Sequence, residues 1–125
     1  MDPEEPQTPS PRRPRELSPR YALSAMKVYL DDERPTPAGW VRAYWPDEVI
    51  ELLKTGQVER LSLDHDLGDD ERGTGYDVVL WLEEQVALGA MRPPKEITVH
   101  SANISARTKM ELGIAAIYRF AARRR

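Results

Sequence analysis

"LSLDHDLGDDERGTG", residues 61–75, decides how this chain is read. Its first residues are apolar and β-prone, as in a buried strand, and the run then releases Asp64, His65 and Asp66 before breaking at glycines. Directly downstream, "GYDVVLWLEEQVALG" has helical periodicity, with Val78, Val79, Leu82 and Val86 on one face and Thr74 placed to cap it. A strand, a short acidic loop and a helix make the first part of a βαβ unit. Asp69, Asp70 and Glu71 follow Gly68 and read as solvated loop.

Working outward, Val58 to Leu63 is the strand that carries this loop. Before it, Pro46 suits the first position of a helix, Asp47 and Glu48 complement its dipole, and Gly56 suits its end. Val49, Ile50, Leu52 and Leu53 are its expected buried stripe. Trp40 to Tyr44 reads as a strand, and Lys27 to Leu30 as another that ends at Asp31 and Asp32 in "MKVYLDDERP". On the other side, Ile97 and Val99 mark a fourth strand in "KEITVHSAN", and Ser105 is positioned to cap a last helix from Ala106 to about Ala122. Met110, Ile114, Ile117 and Phe120 supply its core face.

That order of elements is α/β with parallel crossovers, an architecture that places binding sites at the carboxyl ends of strands. Asp31 to Glu33, Asp64 to Asp66, and His100 with Ser101 all follow strand ends, so three distant segments should meet on one rim.

Composition bounds what that rim can do. At 125 residues the chain has room for one core, and its formal charge of -3 provides no global basic field for nucleic acid. Without cysteine there is no disulfide, thiolate nucleophile or thiolate metal site, so any metal must be bound by oxygen or imidazole. No run is long and apolar enough for a membrane span, and residues 1–20 have no secretory apolar core; a cytoplasmic protein with no membrane partner is expected. Residues 1–25 hold six of the eleven prolines and read as a disordered Pro/Arg-rich tail, or as a misassigned start upstream of Met26. Residues 26–125 are the expected domain. Trp40, Trp45 and Trp81 read as core, and the terminal "RRR" as compensation of a helix dipole.

Adjacent acids ordinarily solvate a loop, but two acid clusters at neighbouring strand ends would repel unless a cation neutralised them. Asp31, Asp32 and Asp64 are therefore a candidate site for Mg²⁺ or another hard divalent cation. The chain has only two histidines, His65 and His100, and both fall on this rim beside Asp64, Asp66 and Ser101. Alone, either reads as a structural imidazole. Together they can divide acid and base work in opening a cyclic phosphodiester, with Arg34 or a cation taking the charge of the non-bridging oxygens. Ser101 is a candidate phosphate contact or the start of a turn, and Asn103 an ordinary cap.

These landmarks resemble the receiver domains of two-component signalling: the acidic pair Asp31 and Asp32, Asp64 at the phosphoacceptor position, and Ser101 with Ala102 after the fourth strand. A fifth strand with the receivers' lysine is missing from the pattern. The combination "YLDDERP", "LSLDHDLG", "TGYD" and "VHSAN" is closer to the cyclic-phosphate processing receiver domain, and the likeness covers most of Met26 to Asn103. It implies a minimal receiver-like, flavodoxin-like three-layer α/β fold with a mostly parallel four-stranded sheet. It also implies a metal-dependent phosphoesterase acting on cyclic-phosphate nucleotides or 2′,3′-cyclic RNA ends, with RNA-repair proteins as partners. Carried over residue by residue are Asp31, Asp32, Arg34, Asp64, His65, Asp66, His100 and Ser101. The alternatives are a signalling receiver phosphorylated on Asp64 and a non-catalytic module that binds a phosphorylated ligand.

Overall fold

A computed structural model describes residues 26–123 of the chain; the expected tail over 1–25 lies outside them. The elements are β1 (Met26–Leu30), β2 (Val41–Ala43), α1 (Pro46–Leu53), β3 (Val58–Leu63), α2 (Gly75–Ala87), β4 (Glu96–Val99) and α3 (Ile104–Arg123). The strands form one sheet in the order β2-β1-β3-β4, and every pairing is parallel. This is the small receiver-like α/β fold expected, with the sheet wholly rather than mostly parallel. No helix among the described residues is long and apolar enough to cross a membrane.

Alternation along the strands divides the sheet into two unlike faces. Val28, Leu30, Leu61, Leu63, Ile97 and Val99 face the helices and are buried. Val49 and Leu53 of α1, Val78, Val79, Leu82 and Val86 of α2, and Met110, Ile114 and Ile117 of α3 complete that core. Each such side chain contributes about 1.5–3 kcal/mol by leaving water. The opposite face carries Lys27, Tyr29, Arg42, Arg60, Ser62, Glu96 and Thr98, of which Arg60, Glu96 and Thr98 are exposed.

The layer count differs from expectation. Right-handed crossovers from β2 to β3 and from β3 to β4 step the same way across the sheet, so α1 and α2 fall on one face. α3 packs on α2 in that same layer. Among the described residues the protein therefore has two layers where three were expected, because β1 runs to β2 through a loop without a helix.

Local signals explain most boundaries. Thr74 caps α2 as expected: its hydroxyl oxygen accepts the Tyr76 amide at 3.2 Å while Asp77 accepts the Thr74 amide at 2.8 Å. α3 is capped by Asn103, whose Oδ1 accepts the Ala106 amide at 3.1 Å, and not by Ser105. Either side chain suits a cap, and the turn after β4 brings Asn103 to the position. The buried stripe of α1 is narrower than expected, with Ile50 and Leu52 only half-buried, because an eight-residue helix at the sheet's edge has one neighbouring helix.

One glycine sets the distance between the helical layer and the functional rim. A Cβ on Gly75 would lie 1.9 Å from the main-chain oxygen of Asp64 and 3.0 Å from Met110 Cε. Only a residue without a side chain lets α2 begin this close to the end of β3.

Candidate active site at the carboxyl end of the sheet

Asp31, Asp64 and His100 are each the first residue beyond a strand, and each still donates its amide to the adjacent strand. Asp31 N bonds Ala43 O at 3.1 Å, Asp64 N bonds Leu30 O at 3.0 Å, and His100 N bonds Leu63 O at 2.9 Å. Leu30, Leu63 and Val99 are in register, so the three following residues form one row across β1, β3 and β4. The residues before them, Leu30, Leu63 and Val99, point into the core; alternation sends these three to the polar face.

The row is tightly bonded. Asp31 is 1% exposed, and its Oδ1 accepts the amides of Glu33 and Arg34 at 2.8 and 2.9 Å. Its Oδ2 accepts His100 Nε2 at 2.9 Å and Arg34 Nη1 at 3.1 Å. Burial alone would raise the Asp31 pKa, but these four donors outweigh it and hold the carboxyl at about 2. Among the described residues the Asp64 carboxylate accepts only the His65 amide, at 2.9 Å, and stands 3.7 Å from the same Arg34 nitrogen. Burial first, and then the Asp31 charge, push its pKa up. Two neighbouring carboxylates thus have divergent environments, one locked as an anion and one made more basic.

His100 has both ring nitrogens engaged. A carboxylate can only accept, so Nε2 carries the proton toward Asp31, and Nδ1 accepts from the Ser62 hydroxyl at 2.7 Å. Burial lowers its pKa, against the opposing pull of Asp31. The ring also stacks on Tyr29, with centroids 4.4 Å apart and planes 3° from parallel, and Trp40 meets Tyr29 edge-on.

The remaining expected residues divide. Arg34 joins the row, spanning both carboxylates from a 43% exposed position. His65 bonds Asp66 through Nδ1 at 2.8 Å, a pair on the outer rim. Asp32 stands apart from the row: its Oδ2 lies beside Gly68, 3.3 Å from where a Cβ there would sit. Ser101 is buried, and its oxygen accepts the Asn103 amide at 3.1 Å, the bonding of a turn into α3. Asp69, Asp70 and Glu71 are exposed, as expected of solvated loop.

Ser62 and Tyr29 belong to the site and were not expected in it. The signal that would have found them is the strand period: Ser62 is two residues before Asp64 and Tyr29 two before Asp31, hence on the same face.

The row also tests whether a divalent cation fits. Asp31, Asp64 and His100 each offer one ligand atom, and these atoms lie within 4.8 Å of one another. Two carboxylate oxygens and one imidazole nitrogen are a chemically suitable set.

Comparison with known proteins adds one match. A family model described as the cyclic-phosphate processing Receiver domain covers residues 26–116. No curated protein and no solved structure matches the chain.

Proposed function

The chain belongs to the family of cyclic-phosphate processing receiver domains, and from that premise we propose that it is a metal-dependent phosphoesterase that opens a cyclic phosphate, with 2′,3′-cyclic RNA ends as the substrate class. The observation supporting this reading is the row of Asp31, Asp64 and His100 on the strand ends, spanned by Arg34.

Asp64 is the basic carboxylate of the row and takes the proton of the attacking water. As the water oxygen bonds to phosphorus, the bond from phosphorus to one ribose oxygen breaks, and that oxygen takes up a proton. His65 is the donor when its ring carries both protons: Asp66 holds Nδ1–H, and Nε2–H, with no hydrogen-bond partner among the described residues, passes its proton to the ribose oxygen. Arg34 lies partly in solvent and turns guanidinium N–H groups to the non-bridging oxygens. Asp31 does no proton chemistry; four donors hold it as an anion in the metal-free chain, and the Glu33 and Arg34 amides keep it in place when it serves as a ligand. Asp31 and Asp64 would hold the divalent cation, which when bound supplies further charge neutralisation at phosphate.

The test incubates the chain and a divalent cation with 2′,3′-cyclic nucleotides and cyclic-ended RNA, alongside Asp64→Asn and His65→Ala. Phosphomonoester formation that falls at least 100-fold in Asp64→Asn is expected. No turnover on any substrate, together with stable labelling of Asp64 by acetyl phosphate, would instead establish a signalling receiver.

A further inference from the structure

The row that assembles is not the oxygen-only trio expected of a receiver. We infer that the cation site is formed by Asp31, Asp64 and His100 Nε2, with Ser62 as the outer partner of the imidazole, and that it selects first-row transition cations such as Mn²⁺ and Co²⁺ over Mg²⁺. The inference rests on the proposed metal dependence and specifies which metal class the site takes.

Spacing is the first reason. Two ligands on adjacent octahedral positions about 2.1 Å from a cation lie about 3.0 Å apart. His100 Nε2 and Asp31 Oδ2 are 2.9 Å apart, and the third ligand atom of Asp64 is within 4.8 Å of both. In the metal-free chain a proton joins the pair along the Nε2 lone pair, so a cation takes that position once the Asp31 carboxylate oxygen swings off the axis, with both groups still held on the same strand ends. Asp32 is not in the group.

The second reason is the other side of the imidazole. A ligating histidine needs a partner for its second ring N–H. In the metal-free chain Ser62 donates to Nδ1; with Nε2 ligating, the ring proton sits on Nδ1 and the Ser62 oxygen accepts it. A hydroxyl turns to do either at the same 2.7 Å, and alanine does neither. Ser62 is only 8% exposed, which keeps water from taking over this task, and stacking on Tyr29 fixes the ring plane for both states.

Donor chemistry then sets selectivity. Imidazole suits transition cations, whereas Mg²⁺ takes oxygen ligands and retains water. Arg34 provides a built-in competitor: one guanidinium nitrogen lies 3.1 Å from Asp31 and 3.7 Å from Asp64, so a cation must displace it toward solvent.

The metal-free full chain is titrated calorimetrically with Mn²⁺, Co²⁺ and Mg²⁺ in turn. Mn²⁺ and Co²⁺ are expected to bind at least tenfold tighter than Mg²⁺, with His100→Ala abolishing the preference and Arg34→Ala tightening all three. Ser62→Ala should weaken Mn²⁺ about 10–100-fold, and Ser62→Thr should restore it. Equal affinity for Mg²⁺, a preference that survives His100→Ala, or loss of binding in Asp32→Asn alone would overturn the inference. Circular dichroism checks that each variant folds. Binding is read without substrate, so the selectivity can fail while turnover stands, and turnover can fail while the selectivity stands.

Discussion

Asp31 gives the electrostatics of the row a quantitative test through the pH dependence of unfolding. Its carboxyl is held at about 2 against a usual 3.8. At about 1.36 kcal/mol per pKa unit, that gap corresponds to about 2 kcal/mol of stability at neutral pH. With the side chain 1% exposed, solvent screening removes little of it. The folded value lies below the unfolded one, so unfolding takes up a proton in the interval between them. The stabilisation is complete above the usual carboxylate range and is lost as pH falls from about 4 to about 2. Urea unfolding of wild type and Asp31→Asn from pH 7 to pH 2 measures it. The variant should be less stable at pH 7, and the difference should shrink by about 2 kcal/mol on acidification. The amide that replaces one carboxylate oxygen in this variant does not titrate, but loss of the Asp31 charge also lowers the folded pKa of His100 and Asp64, so the shrinkage is read between pH 4 and pH 2. A difference that stays flat, or grows in acid, would refute the assignment of these four donors to a charged Asp31. Asp64 should behave oppositely. Its folded pKa is raised, so its ionisation opposes folding, and Asp64→Asn should stabilise the chain at neutral pH with the gain fading in acid.

Two further measurements probe the scaffold. Gly75→Ala places a methyl group 1.9 Å from the Asp64 carbonyl oxygen, a backbone clash that rotamers cannot relieve, and a loss of about 3 kcal/mol in urea unfolding is expected; a loss under about 0.5 kcal/mol would mean α2 can withdraw freely. Tyr118 donates to the Pro94 carbonyl at 2.7 Å, and burial raises its hydroxyl to about 12, so wild type should lose stability as pH rises from about 10 to 12, and Tyr118→Phe, which keeps the also raised Tyr29, should lose less. Equal alkaline slopes would falsify that link.

The fold was legible where local chemistry and burial agree. "LSLDHDLG" ends β3 at Leu63 as read, since apolar alternation and the burst of acids mark the same boundary. Thr74 was legible as a cap because threonine followed three residues later by Asp77 specifies a reciprocal bond. Asn103 and Ser105 offer equivalent side chains two positions apart, and only the path of the chain after β4 chooses between them. Layering was less legible, because strand alternation reveals a polar face without saying whether another element covers it. In the site, Asp31, Arg34, Asp64 and His100 were read from motif and strand end, and they come together. Asp31 and Asp32 are indistinguishable as letters, yet one turns into the row and its neighbour turns toward Gly68. That distinction depends on where β1 ends. Ser62 was hidden for another reason: a lone serine in a strand carries no chemistry until the parallel register brings His100 beside it.

The polar face of the sheet has a consequence for how stability varies with temperature. Both the heat-capacity increment of unfolding and the denaturant slope follow the apolar surface that folding removes from water. A parallel sheet ordinarily contributes both faces to that total. Among the described residues this one contributes Val28, Leu30, Leu61, Leu63, Ile97 and Val99 from one face, while its other face buries Tyr29 and otherwise carries Lys27, Arg42, Arg60 and Thr98. The chain should accordingly have a shallow stability curve, melting over a broad interval and resisting cold better than a doubly covered domain of equal length.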